Sequence, residues 1–312
     1  MTQTDLMLNP GTAVWPYPHI LQQNWRTWAF RRLDAALANA VRLPFNNQSR
    51  FVLFSDLHRG DGGPTDRFQA NKPLFLQALR HYYEHGYTYI EVGDGDELWL
   101  HDDLEPIKRA HAEVFEWLHR FKEDGRLHIL YGNHDIKGPG DCPPHKDGIP
   151  THEALVLEHP NGQRLFICHG HQADLTNARL YALTRFLNKS LWRWLRIQSV
   201  GLIDADLRVE NQMLNNIRHF FKIWTHQQPQ HIENRLKEWA TTNQQPIVCG
   251  HTHRVALPGA SGVPYFNTGS CLTANRLTGL ELIQGQLKPV HWAAGQQGRV
   301  GVYRDWANLF VN

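Results

Sequence analysis

From residue 51 the chain alternates short apolar runs with amphipathic stretches. Phe51-Val52-Leu53-Phe54 is unbroken by polar residues and predicts a buried strand; 72–85 predicts a helix, Tyr87–Val92 a strand, 105–123 a helix and Leu127–Tyr131 a strand. Alternation of this kind predicts an α/β domain around a largely parallel sheet, with ligands at the carboxyl ends of the strands. Further strands are expected at 153–158, 164–168, 246–249, 264–268, 278–283, 287–292 and 299–303. Between 175 and 243 the strand pattern lapses, and helices are expected at about 177–198, 204–225 and 230–241. This helical insertion interrupts the domain, which we place at 48–312.

An extension, 1–47, precedes it. Residues 1–18 read as irregular and 20–42 as a helix with Trp25, Trp28, Leu33 and Ala36 on one face. Such a helix either lies on a membrane, with Arg26, Arg31, Arg32 and Arg42 toward anionic lipid, or packs on the domain. Its alanines make a weak membrane face, which favours packing.

Composition narrows the classes. The chain has 312 residues, 41% apolar and 20% charged, and suits an ordinary globular protein. A formal net charge of +2 gives no general bias toward polyanions. The four cysteines, Cys142, Cys168, Cys249 and Cys271, are far apart and form no CxxC, so a reduced, cytoplasmic setting is expected. No apolar run approaches bilayer length.

Candidate chemistry lies where the predicted strands end. Asp56-Leu57-His58, Gly93-Asp94, Gly132-Asn133-His134-Asp135, His169-Gly170-His171 and Gly250-His251-Thr252-His253 each follow a strand, and six of the 20 histidines fall within them. Hydrolysing a phosphoester needs a nucleophile at neutral pH and a hold on anionic oxygens. Two close metals supply both, by lowering the pKa of a bridging water and clamping the oxygens of an in-line displacement. Asp56 and Asp94 offer carboxylates, Asn133 an amide oxygen, and His58, His169, His251 and His253 imidazoles. That donor set suits Mn, Fe, Zn or Co, with Mn our first expectation, better than an all-oxygen Mg site. In an extended segment residues two apart point the same way, which would aim Asp56 with His58, and His251 with His253, at one place.

As a set the motifs resemble the calcineurin-like metallophosphoesterases, whose pattern is D-x-H, G-D-x-x-[DE], G-N-H-[DE], a histidine after a strand, and G-H-x-H. The resemblance spans about 51–270 and includes Asn267-Thr268-Gly269-Ser270. It implies a two-sheet sandwich flanked by helices and two divalent metal ions. Asp56, His58 and His253 would hold one ion, Asn133, His169 and His251 the other, with Asp94 bridging. His134 would protonate the leaving group or steady the phosphate, oriented by Asp135. Within the family, Gly93-Asp94-Gly95-Asp96-Glu97-Leu98-Trp99 followed by Asp102-Asp103 is similar to the UDP-2,3-diacylglucosamine hydrolases, which carry a helical insertion before a GHTHR segment. Those enzymes have arginine where this chain has His134.

The substrate implied is a phosphodiester or pyrophosphate of a nucleotide-linked small molecule or lipid. Arg59 could meet a substrate phosphate bidentately, or pair with Asp61 at the surface. Arg185, Lys189, Arg193 and Arg196 recur on one face of the 177–198 helix and could meet remote substrate charge. The same helix could equally be solvated there. A nuclease or cyclic-nucleotide phosphodiesterase is the second reading, disfavoured by the near-neutral charge. A silent scaffold is the third, and the complete ligand set argues against it. His171 reads as a supporting donor or an exposed turn residue.

Overall fold

The structure, a computed structural model, describes residues 19–136, 145–174, 229–258 and 264–293. Two mixed sheets face one another, where the alternation alone predicted one parallel sheet. In the first, β2 (Arg50–Phe54), β3 (Thr88–Val92), β4 (Leu127–Leu130) and β6 (Ile149–His152) run parallel. The antiparallel pair β12 (Arg276–Ile283) and β13 (Gln286–Ala293) closes one edge, and β5 (His145–Lys146) the other. The second sheet has the order β1 (Val41–Pro44), β7 (Ala154–Glu158), β8 (Arg164–Cys168), β9 (Ile247–Cys249), β11 (Tyr265–Thr268), β10 (Val255–Ala256).

The strands read as unbroken apolar runs because both their faces are covered. Leu53, Ile90, Val92 and Leu130 of the first sheet meet Leu155, Leu157, Leu165, Ile167 and Val248 of the second. Their neighbours Val52, Phe54, Tyr89 and Ile129 turn outward onto α2 (Lys72–Glu84) and α4 (Ala112–Glu123). On the far side Phe166, Cys168 and Ile247 turn onto α1 (His19–Ala38) and α5 (Pro229–Thr242). The result is a two-sheet sandwich with helices on both outer faces.

Several boundaries differ from the sequence reading. The first helix ends at Ala38, and Val41–Pro44 forms edge strand β1, paired parallel with β7. Val-Arg-Leu-Pro alternates, and Val41 and Leu43 pack on the inter-sheet core. The helix expected at 105–123 is two, α3 (Glu105–Ala110) and α4. They part at His111, which is buried and bonds through Nε2 to Asp66 Oδ2 at 2.7 Å. Strands β5, β6 and β10 were not anticipated. The strand at 299–303 and the helices at 177–198 and 204–225 lie outside the described residues, as do Arg185, Lys189, Arg193 and Arg196.

Helix α1 is packed on the domain. Ala29, Leu33 and Ala36 are fully or almost fully buried, and Trp239 of α5 donates its ring N–H to Asp34 at 2.8 Å. Arg26 pairs with Glu238 at 2.7 Å, and Arg42 pairs with Glu158. Among the described residues, no helix is long and apolar enough to cross a membrane.

Candidate metal centre

The loops after β2, β3, β4, β8 and β9 converge, so the site draws on both sheets. Their backbone is unusual. Asp56, His58, Asp94, His251 and His253 all have positive φ, between 49° and 68°. Non-glycine residues seldom adopt this left-handed region, and such strain concentrates at functional sites. It also corrects an expectation. Neither Asp56 with His58 nor His251 with His253 is an extended pair; Asp56 and His58 still meet in one grouping, but His251 and His253 part. His253 joins Asp56 and His58, whereas His251 joins Asp94 and His169. The close packing of the loops needs glycine at Gly132, where a Cβ would lie 2.1 Å from Asp94 Oδ1.

In the first grouping, His253 Nε2 lies 3.1 Å and His58 Nε2 4.0 Å from Asp56 Oδ1. In the second, His169 Nε2 lies 3.1 Å from Asp94 Oδ2. Asp94 stands between the groupings, since His58 Nε2 is 3.7 Å from the same oxygen. Burial alone would raise the pKa of Asp56, but His253 outweighs it and holds the group at about 2. Asp94 is likewise held well below the usual carboxylate range, because His169 and His134 outweigh its burial. Burial alone would lower His169, yet Asp94 lifts it to about 10. The site's field therefore favours positive charge.

The donor atoms fit divalent cations. Buried His58 Nε2, His169 Nε2 and Asn133 Oδ1 make no hydrogen bond. Leaving a buried polar atom unsatisfied costs about 1–3 kcal/mol, so three at one place need a reason. Tautomers agree with that reason. His169 Nδ1 lies 2.8 Å from Val92 O and must donate to it, and His58 Nδ1 lies 3.0 Å from Glu97 Oε2. In both rings Nε2 is then the nitrogen left to face a cation.

A third grouping, His58, Glu97 and His134, is a hydrogen-bonded set and not a cation cage. Glu97 takes a ring nitrogen of each histidine, with His134 Nδ1 at 2.7 Å. Trp99 stacks on His134 with centroids 4.2 Å apart. Burial would lower the pKa of His134, but Glu97 and Asp94 raise it to about 9. Here the sequence reading needs correction, because Glu97 and not Asp135 orients His134. Asp135 accepts backbone N–H groups of Gly132 and Asp96 at 2.8 and 3.0 Å, and the Lys146 ammonium at 2.8 Å.

Arg59 is also corrected. It is fully buried, so it meets neither substrate nor Asp61. Its Nη1 and Nη2 each donate to Glu91 at 2.8 Å, and its Nε donates to Asp96 at 2.6 Å. Lys146, also buried, lies 2.8 Å from Asp96 and 3.6 Å from Glu91. Five charged side chains thus form one closed cluster beneath the loops. His171 is buried, not exposed, on a 3-10 turn (His171–Ala173), and its burial, with Arg32 nearby, holds its pKa well below the usual histidine value.

Sequence reasoning assigned no role to Glu97, Lys146, Glu91 or Asp174. Asp174 Oδ2 lies 3.1 Å from His251 Nε2. Glu97 sits within a quoted motif, and Glu91 is a lone charge inside an apolar strand; both carried a signal. Lys146 and Asp174 carried none.

The fold and the site are those of a metal-dependent phosphoester hydrolase. The chain belongs to the calcineurin-like phosphoesterase family, whose model matches residues 49–255. No curated protein matches it in sequence. Among solved structures it is similar to vacuolar protein sorting 29 from Cryptosporidium parvum, at 13% identity over 79% of this chain and 97% of that one, with a TM-score of 0.34. A cold-active protein-tyrosine phosphatase of a psychrophilic Shewanella sp. matches at 15% identity over 80% of each chain, with a TM-score of 0.39. A protein serine/threonine phosphatase from Saccharomyces cerevisiae, with similarity to human phosphatase PP5, matches at 13% identity over 88% of this chain and 91% of that one, with a TM-score of 0.38.

Proposed function

We propose that this enzyme uses two divalent cations to hydrolyse a phosphodiester or pyrophosphate of a nucleotide-linked small molecule or lipid. The observation that carries the two-cation reading is that His58 Nε2, Asn133 Oδ1 and His169 Nε2, three buried atoms without a well-aligned hydrogen bond, group around low-pKa Asp56 and Asp94. Asp56, His58 and His253 would hold one cation, Asn133, His169 and His251 the other, and Asp94 both. Bound there, the cations would polarise the phosphoryl oxygens and acidify water, with Mn the first candidate.

The chain's own groups handle the leaving oxygen. With His134 Nδ1 committed to Glu97, Nε2 is the atom that delivers a proton. The Trp99 face fixes the ring's plane. The substrate class rests on the Gly93–Trp99 segment and the insertion, which resemble the UDP-2,3-diacylglucosamine hydrolase branch. Remote substrate charge would fall to Arg185, Lys189 and Arg193.

The test joins elemental analysis of purified protein to turnover of bis-p-nitrophenyl phosphate, p-nitrophenyl phosphate and UDP-diacylglucosamine. Two ions per chain, diester preferred over monoester, and fastest turnover of the nucleotide pyrophosphate are expected. A protein with fewer than two ions, or one preferring the monoester, would sink the reading.

A further inference from the structure

Each imidazole of the site has a second nitrogen, and what holds it decides which atom faces a cation. His169 gives Nδ1 to the Val92 carbonyl and His58 gives Nδ1 to Glu97. His251 is the exception in polarity, because its Nε2 is the nitrogen held by protein, 3.1 Å from Asp174 Oδ2. Asp174 is 4% exposed, and the bond is correspondingly shielded from water.

Asp174 is itself firmly placed. It closes the His171–Ala173 turn, donating its backbone N–H to His171 O at 3.0 Å. Arg235 of α5 donates to the neighbouring Ala173 O at 2.9 Å, and its charge lies near the Asp174 carboxylate. The loop bearing His251 is gripped from the same helix, where Glu233 accepts a hydrogen bond from Thr252 Oγ1 at 3.1 Å. The two described segments that flank residues 175–228 therefore both bind the Gly250–His253 loop, one at His251 and one at Thr252.

We propose that Asp174 is a positioning residue for the second cation: its carboxylate takes the Nε2–H of His251 and so leaves Nδ1 as the donor toward Asp94 and His169. This rests on the two-cation reading above. Carboxylate–imidazole–metal relays of this kind fix both ring orientation and tautomer, and losing the outer carboxylate typically costs about 10–100-fold in metal affinity. Asp174 touches no reacting atom. Its effect on the cations passes through His251, so it should be confined to one of the two ions.

The experiment compares wild type with Asp174→Ala and Asp174→Asn, using the metal-free full chain titrated with Mn²⁺ alone by calorimetry. For Asp174→Ala, one of the two dissociation constants should weaken by about 10–100-fold while the other stays within about threefold of wild type. Asp174→Asn, whose amide oxygen still accepts the ring N–H, should recover most of the loss. A second readout needs no metal. In ¹⁵N NMR of the metal-free protein at mildly alkaline pH, His251 should be the Nε2–H tautomer in wild type and a mixture in Asp174→Ala.

Wild-type affinity for both ions in Asp174→Ala, equal weakening of both, or an unchanged His251 tautomer would each overturn the proposal. If the alanine variant fails to fold, Asp174→Ser, too short to reach the ring, is read by the same criteria. A wild-type chain that binds one ion only would refute the two-cation reading. Asp174 would then be judged on whether that single affinity responds to its loss.

Discussion

The two halves of the site are held in different ways. Under the loops of the seven-stranded sheet, which carry His58, Asp94 and Asn133, two cations and three carboxylates close on one another. Arg59, Lys146, Glu91, Asp96 and Asp135 are all at most 5% exposed. Under the loops of the six-stranded sheet, which carry His169, His251 and His253, the bonds are mostly neutral. Asn267 Nδ2 donates to Gly250 O at 2.6 Å, Thr268 Oγ1 to Cys249 O at 3.3 Å, and Gly250 N to His169 O at 3.0 Å. Of the carboxylates there, Asp174 receives a ring N–H and Glu233 a hydroxyl, with the half-exposed Lys237 and Arg254 3.8 Å from Glu233.

Physical chemistry makes these supports unequal. A buried charge is tolerated only while its partners remain, whereas a neutral bond contributes about 1 kcal/mol net. The charged half should therefore be rigid and brittle, and the neutral half forgiving. Asp94 joins the halves, so its removal should have the largest effect. Asp94→Ala should lose both ions together and all measurable turnover. Elemental analysis showing a wild-type ion content in this variant would break the picture of a shared carboxylate.

Next in size is His134, at the open face of the charged half. His134→Ala should keep both ions and lose turnover by about 10²–10⁴-fold. The loss should shrink for p-nitrophenolate leaving groups, which need little protonation. An equal loss across leaving groups of widely different pKa would exclude the acid role.

The comparison itself is tested by one substitution in each half. Lys146→Met leaves three carboxylates facing Arg59 alone and should cost about 3–5 kcal/mol. Thr252→Val removes the hydroxyl's bonds to Glu233 and Asn267 and should cost about 2 kcal/mol. Urea denaturation measures both. Equal costs would mean that the two halves are not supported differently after all.

The neutral half was the more legible in sequence. Its histidines follow apolar strands directly, and His169, His251 and His253 need no distant partner to be noticed. Asp56, His58, Asp94 and Asn133 were legible for the same reason. The charged half hid its support. Lys146 reaches Asp96 and Asp135 from a two-residue edge strand that no hydrophobic period announces. Arg59, one residue past His58, looked like a substrate contact because exposure cannot be read locally. The face-to-face packing of two sheets was likewise invisible in the periodicity. When both faces of a strand are buried, alternation no longer tells which face meets which layer. The resemblance, not the period, supplied the sandwich.

The last effect expected appears only in acid, and it should again fall on the seven-stranded sheet. His128 of β4 has its pKa lowered to about 4, first by burial and then by His152 on neighbouring β6, which is itself lowered by burial. A histidine whose folded pKa lies below its unfolded value of about 6.5 favours the folded state only while neutral. Its contribution is complete above pH 6.5 and is lost as pH falls toward 4, at no more than about 1.4 kcal/mol per pH unit. Glu91 adds to the trend lower down. Burial opposes its ionisation, but Arg59 and Lys146 keep its pKa below the usual value, so the stability it gives is lost as pH falls below about 4. His128→Gln, neutral at every pH, should therefore become relatively more stable than wild type between pH 6.5 and 4.5. Thr252→Val, in the other half, should keep a constant difference from wild type over that range. Denaturation curves at pH 7.5, 6, 5 and 4.5 decide the matter. A flat difference for His128→Gln would place the acid sensitivity elsewhere and remove this contrast between the two sheets.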